Sequence, residues 1–586
     1  AALVARRLDA IIADLIKTGP TADEVRRVVT QEVARRIRGF ESVGGFGGKA
    51  VAIAEGALYA GDPDFYKKQL AAYAAVTPAQ VKAAAAKWLG RPVYALTVEP
   101  GERSAYDEAK AGVKGAQAGG APKPEEPKAS AATTPSKLPA VGAFPDLDFP
   151  AVRHITLSNG IDVAYAQRTA VPVTRIAVSF DAGNAADPKD KLGLQSLMLS
   201  LIDEGTTSRS SVEIAEEQER LGAQIGAGAS MDQTSLSLSA LSPNLAPSLD
   251  LFADILRNPA FAPAEVERVR AQKLAGIAAE LTEPRGVALR ALPPLLYGKE
   301  HPYGIPFTGT GDPAVVARVG RADMIAFKQG WMRPDTARIF VVSDLTLEQL
   351  APQLESSLGS WRATGEKRTK NLDTPTPPAR PRIVLIDRPG SPQSLILGGA
   401  LLPVKGSDEL LPLLAANEVL GGSFLSRMNM DLRERKGWSY GVSAQVNRLL
   451  GTAPYLVSAP VQADSTGPAI AALQSNMREF LGTSGVTPAE LERTINNSIR
   501  ELPGSFETGS DVLGGMQRNA LFKRPDNYYD TLAARYRSLT AGDLDKAARA
   551  AIDPDKMLWV VVGDAAKVRP QLDALKLPVE SVAAPK

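Results

Sequence analysis

The chain has 586 residues, no cysteine, and a formal net charge of +2, from 67 Lys and Arg against 65 Asp and Glu. The lack of Cys excludes disulfides, thiolate metal sites and a cysteine nucleophile, and the near-neutral balance argues against a polyanion-binding surface. The two His, His154 and His301, stand 147 positions apart, which speaks against a multi-His metal site and a Ser-His-Asp triad. The longest apolar runs, such as 558–562, are too short to span a bilayer.

Val4, Leu8, Ile11 and Leu15 fall on one helical face, so an amphipathic helix is expected from the first residues, with no signal-like segment ahead of it. Residues 1–105 are read as one folded part. Residues 106–149, rich in Ala, Pro, Gly, Lys and Ser, are read as a flexible tether that cannot bury enough apolar surface to offset its ordering entropy. Beyond it the pattern predicts strands at 161–166 and 174–181, a helix at 191–203, and strands at 222–230 and 234–241. Helices at 246–257 and 263–282 follow, then a strand at 337–343. A second half repeats this with strands at 382–387 and 394–401, a helix at 408–420, strands at 439–447 and 454–460, helices at 468–482 and 487–500, and a strand at 557–562. Strands grouped before helices favour an α+β class, each domain with a mostly antiparallel sheet covered by helices on one face. The expected domains are 150–370 and 380–580.

The chain also repeats itself over a longer distance. Thr21-Ala-Asp-Glu24-Val25 resembles Thr487-Pro-Ala-Glu490-Leu491, and Phe40-Glu41-Ser42 resembles Phe506-Glu507-Thr508, both 466 positions apart. Val76-Thr77-Pro78 matches Leu539-Thr540-Ala541, and Tyr94–Val98 is expected to form a strand matching Leu558–Val562. Residue 1 then corresponds to about Gly467, so 1–105 reads as the C-terminal part of a first unit lacking roughly its first 315 residues.

Several stretches resemble the pitrilysin/insulinase family of inverzincin metallopeptidases, which includes mitochondrial processing peptidase. They are Leu157-Ser-Asn-Gly160, Phe180-Asp-Ala-Gly183, Asp203-Glu-Gly-Thr-Thr-Ser208, Glu219-Arg-Leu-Gly-Ala223, His301-Pro-Tyr-Gly304 and Leu432-Arg-Glu-Arg-Lys-Gly437-Trp-Ser-Tyr440, in the family's order. The resemblance implies a processing-peptidase-like fold. It also places an H-x-x-E-H zinc motif on the helix before Glu204-Gly205-Thr206. Here Ser196 stands for the first His, Leu199 for the catalytic Glu and Ser200 for the second His. The third ligand would fall near Ala275–Ala279, with Glu280 the closest carboxylate. Ser is a poor zinc ligand and Leu moves no proton, so no metal or other cofactor is expected in this chain.

The same resemblance implies that a zinc-free unit offers an Arg and a Tyr, spaced R-x6-Y, to hold peptide and stabilise an oxyanion; Arg433 and Tyr440 match. An edge strand near Ala227–Met231 would pair with extended peptide. His301 and His154 read as structural and surface residues. Gly421-Gly422-Ser423-Phe424 lacks the Lys-Ser/Thr ending of a phosphate loop and reads as a turn.

Two functions follow. The first is the substrate-holding half of a zinc endopeptidase, inactive alone, working on peptides in a chamber closed by an H-x-x-E-H partner. That partner carries the zinc and is either a missing N-terminal part or a separate subunit of a heterodimer. The second is a non-catalytic peptide-binding or scaffold protein. Neither needs nucleic acid, a transmembrane segment or a nucleotide cofactor. A bacterial periplasmic or envelope site is expected, with the cytoplasm as alternative.

Overall fold

The computed structural model describes residues 2–98, 101 and 145–584. The expected tether lies outside the described residues except for 145–149, where Phe149 is buried with its ring 5.1 Å from those of Phe506 and Tyr529. Two compact units are present, one drawn from 1–25 and 76–145, the other from 26–75 and 146–586.

In the first unit, α1 (Ala2–Thr18) runs along α5 (Pro78–Leu89). The amphipathic pattern forms its helix, yet α1 buries no residue, and Leu3, Val4, Leu8 and Ile11 are exposed. Tyr94–Val98 does not form the expected strand and is largely exposed. Apolar, β-prone residues become a strand only beside a partner, and among the described residues none pairs with them.

The second unit holds two six-stranded sheets. The first has the order β1-β2-β6-β3-β5-β4, built from β1 (Val152–Thr156), β2 (Asp162–Gln167), β3 (Val173–Phe180), β4 (Gln224–Ala229), β5 (Thr234–Leu241) and β6 (Arg338–Ser343). Only β2 and β6 pair in parallel. The second has the order β12-β7-β11-β8-β10-β9, built from β7 (Ile383–Asp387), β8 (Gln393–Lys405), β9 (Ser443–Val446), β10 (Thr452–Gln462), β11 (Leu558–Gly563) and β12 (Val579–Val582). There β7 runs parallel to β11 and β12, and the remaining pairs are antiparallel.

Period-two patterning sends alternate residues to opposite faces. Ile176, Val178, Phe180, Leu236, Leu238, Ile339 and Val341 pack beneath the helices of the first half: α6 (Leu194–Leu199), α7 (Ser211–Leu221), α8 (Leu245–Arg257), α9 (Pro263–Thr282) and their neighbours. In the second sheet Ile383, Leu385, Ile396, Tyr455, Val457, Trp559 and Val561 do the same. The opposite faces are covered too, each by the other half. Val384, Ile386, Leu397, Val560 and Val562 of the second sheet meet Val287, Leu292 and Leu296 of α10 (Pro284–Tyr297). Ala164, Ala177, Phe340 and Val342 of the first sheet meet residues between Ile499 and Met516.

A buried polar node joins the halves. Tyr303 Oη donates to Asp232 Oδ1 at 2.5 Å, Gly451 N donates to Tyr303 Oη at 2.9 Å, and Leu450 N donates to Asp232 Oδ2 at 2.9 Å. His301, 2% exposed, accepts from Tyr303 N at 3.0 Å, and burial holds its imidazole below the ordinary pKa. His154 lies at the surface beside Asp526.

The predicted helix at 191–203 shrinks to α6. Gly193, at φ +98°, starts it in a left-handed conformation whose Cβ position lies 2.7 Å from Val316, and the chain unwinds into turns from Leu201. The predicted helix at 408–420 becomes α11 (Leu411–Asn417) followed by a wide π-type turn over Glu418–Gly422. The predicted strand at 439–447 contracts to β9.

The long-range repeat has a structural counterpart. Helices α2 (Ala22–Gly39), α3 (Lys49–Ala60) and α4 (Phe65–Ala74), with α1 and α5 on either side, recur in order as α12 (Thr466–Leu481), α13 (Pro488–Gly504), α14 (Gly509–Leu521), α15 (Tyr528–Arg537) and α16 (Ala541–Ala551). Capping boxes match as well: Thr21 with Glu24 and Thr487 with Glu490, then Thr77 with Gln80 and Thr540 with Asp543. Two equivalent corners meet reciprocally. Gly509 N donates to Glu41 Oε1 at 2.7 Å, and Val43 N donates to Glu507 Oε1 at 2.7 Å. Each glutamate thus accepts from the amide two residues beyond its counterpart. Glu41 is 4% exposed and also pairs with Arg175 at 2.6 Å.

Candidate functional site

Three places bear on chemistry. The first is α6 with its crossing helix α9. The buried Asp187 carboxylate caps α6, accepting from Gly193 N at 2.7 Å and Gln195 N at 2.9 Å. Burial pushes its pKa up to about 7 against those two bonds. Ser196 is half-buried, Leu199 sits in the core, and Ser200 is exposed, its Oγ donating to the Ser196 carbonyl at 3.0 Å. Lys273 Nζ of α9 donates to Ser196 Oγ at 2.5 Å. Burial lowers the Lys273 pKa, and the charge of Glu280 opposes that. Glu280 is itself engaged by Arg290 Nε at 2.6 Å and Thr310 Oγ1 at 2.9 Å.

This donor set does not fit a zinc ion. The motif positions supply two hydroxyls and a hydrocarbon, and the crossing carries an ammonium with no lone pair to give. Residues 275–279 contain no carboxylate, and the one at Glu280 is committed to Arg290. Among the described residues no group of three or more His, Cys, Asp or Glu side chains is placed to hold a metal.

The second place is the segment around the wide turn Met430–Arg435. Its backbone is pinned from inside: the buried Asp431 takes Lys436 Nζ at 2.5 Å and Asn476 Nδ2 at 3.0 Å, and Asn429 binds Phe424 O and Val442 N. Gly437, at φ +64°, turns the chain. Arg433 emerges half-exposed, its guanidinium 4.5 Å from the centre of the exposed Phe424 ring and its Nε 3.2 Å from Glu434. Tyr440, three residues past Gly437, is 87% exposed. Tyr440 precedes β9 rather than opening a strand.

The third is β4, which ends the sheet and whose outer edge pairs with no strand among the described residues. The expected strand at Ala227–Met231 begins earlier and stops at Ala229; Ser230 N donates to Gln233 O and turns Met231 out of the ladder. The β4 face borders a cavity of about 500 Å³ lined by Gly226, Gly228, Ser235, Ser237, Leu513 and Gln517.

The Ser196–Leu199–Ser200 substitution is visible in sequence because its spacing is local. Lys273 is not, since no local pattern connects residues 77 positions apart.

Comparison with known proteins agrees with this geometry. Residues 162–309 match the model described as insulinase (peptidase family M16), and residues 318–498 match the peptidase M16 inactive domain. The chain is 22% identical over 413 residues to the uncharacterized zinc protease YmxG of Bacillus subtilis, covering 70% of this chain and 98% of that protein. It is 20% identical over 440 residues to the non-peptidase homolog YmxG of Helicobacter pylori, covering 73% and 98%. Among solved structures, a peptidase M16 inactive domain from Pseudomonas fluorescens aligns with a TM-score of 0.64 and 25% identity, covering 71% of this chain and 98% of that one. The two matching models take in more than half of the residues, and the chain belongs to the insulinase family of peptidases, M16, with an inactive domain in its second half.

Proposed function

We propose that this chain is the substrate-holding half of a zinc endopeptidase, facing an H-x-x-E-H partner unit of the same family across a peptide chamber. The observation that carries the reading is the Arg433–Tyr440 segment. Buried hydrogen bonds fix its backbone, while the two side chains best suited to donate to a developing oxyanion are left at the surface. A guanidinium and a phenol donate where negative charge accumulates and need no metal of their own. The free edge of β4 suits an extended peptide by strand addition. The α6 crossing offers no metal ligand set, and Leu199 stands where the family's catalytic Glu would activate water, so hydrolysis is left to the partner.

The test is a quenched-fluorescent peptide assay. The chain alone gives no cleavage, and adding an H-x-x-E-H unit gives it. In that mixture Arg433→Ala lowers kcat by about 10²–10³-fold, the usual cost of one oxyanion donor. Cleavage by the chain alone would overturn the reading.

A second reading, a peptide-binding scaffold, is favoured by the likeness to a non-peptidase homolog. It requires that Arg433→Ala and Tyr440→Phe leave partner-supported cleavage unchanged. We place the protein in the bacterial envelope; recovery from the cytosolic fraction alone would refute that. No helix of the described residues is long and apolar enough to cross a membrane.

A further inference from the structure

The crossing of α6 and α9 is not simply an emptied metal site. A six-residue helix has little stability of its own and depends on what holds it. On one side Asp187 caps it. On the other, the contact with α9 includes a single long polar side chain, Lys273, reaching Ser196 Oγ at 2.5 Å. Beside it α9 turns Leu274 and Ile277 into the apolar core and leaves Ala275, Gly276, Ala278 and Ala279 exposed. Glu280, one to two turns further on, is bound by Arg290 and Thr310 and supplies a favourable field at Lys273 without touching it.

We propose that the Lys273 ammonium is the resident cation of this crossing: it ties α6 to α9 through Ser196 and bars a divalent ion from the same space. An ammonium has three donors and no acceptor, so it engages the serine lone pair that a metal would need. A second cation a few ångströms away would meet like-charge repulsion in a partly desolvated place. A lysine at this point thus performs the cross-linking that a metal gives two ligand-bearing helices, without the Lewis acidity that makes such a metal catalytic.

Two measurements on the full chain test this. In thermal unfolding, Ser196→Ala and Lys273→Met each lower Tm by about 2–4 °C, and the double variant falls no further than the worse single one, because both remove the same bond. Additive losses, or none, overturn the tie. For the exclusion of metal, S196H/L199E/S200H is prepared in two versions, one keeping Lys273 and one with Lys273→Ala, and titrated with cobalt(II) while its visible absorption is followed. The version with Lys273→Ala takes up the ion at a free concentration about tenfold lower or better. Equal uptake by the two, at whatever level, overturns the exclusion.

Discussion

Arg427 grips Glu490 with one edge of its guanidinium, Nε to Oε1 at 2.8 Å and Nη2 to Oε2 at 2.7 Å, while its face lies 5.1 Å from the centre of the Phe480 ring. Thr487 N adds a third bond at 2.9 Å. Burial opposes ionisation of Glu490, but the Arg427 fork and the Thr487 bonds outweigh it and bring the pKa from 4.5 to about 2. The folded-state value is depressed, so the stabilisation is present above pH 4.5 and disappears as pH falls toward 2. With solvent screening of this partly exposed pair it amounts to about 1–2 kcal/mol at neutral pH. Glu490→Gln should therefore unfold at a lower temperature at pH 7, and the gap to the parent should narrow from about pH 4.5 downward and close only near pH 2; a gap independent of pH would refute the assignment. The capping box at 487–490 is legible from four consecutive residues, whereas the Arg427 fork is not, because its partner is 63 positions away. Arg433 and Tyr440 were within reach of the sequence through their six-residue interval. The setting of Arg433 beside Phe424 was not, since a wide turn arises from how the segment packs rather than from residue preference.

Apolar, β-branched runs bounded by turn residues were readable, and β3, β5, β6, β8 and β10 stand close to where those runs put them, β3 buried along its whole length. α10 was missed. Pro293 and Pro294 lie inside it, and consecutive prolines ordinarily signal a break. The helix persists because the carbonyl of Leu289, which Pro293 cannot serve, accepts instead from Phe307 N at 3.0 Å. This helix from the first half lies across β8 of the second, and Gly399 makes the approach possible. A Cβ there would stand 2.9 Å from the methyls of Leu292 and Leu296, and one on Gly398 would stand 2.5 Å from the Trp559 ring. Gly399→Ala should cost about 1–3 kcal/mol in urea unfolding, by overpacking between the halves. A variant as stable as the parent would show that α10 can shift aside. Tyr94–Val98 teaches the converse: a correct β pattern without a neighbour remains a pattern.

On the scale of the whole molecule, α+β layering and the long-range repeat were legible, because both rest on collinear patterns that survive many local ambiguities. The exchange of helices between halves was not, since covering the second face of a sheet leaves no period in the chain that does the covering. Glu41 makes a quantitative case. Removing it leaves Arg175, 8% exposed, without its carboxylate and Gly509 N without its acceptor. Glu41→Ala should destabilise by about 3–5 kcal/mol, and the half-buried Glu507→Ala by distinctly less. Equal effects in denaturant titration would mean that the bond to Arg175 carries nothing.

The reciprocal corner also imposes an order in time. Glu41 and Gly509 are 468 residues apart, so a growing chain exposes the first corner long before the ribosome has made the second. Closing so long a loop adds only slowly growing entropy, but it cannot begin until residue 509 has been made. The helices beside the Phe40–Val43 corner are therefore made well before they can be seated, and during synthesis that corner is left waiting for its mate.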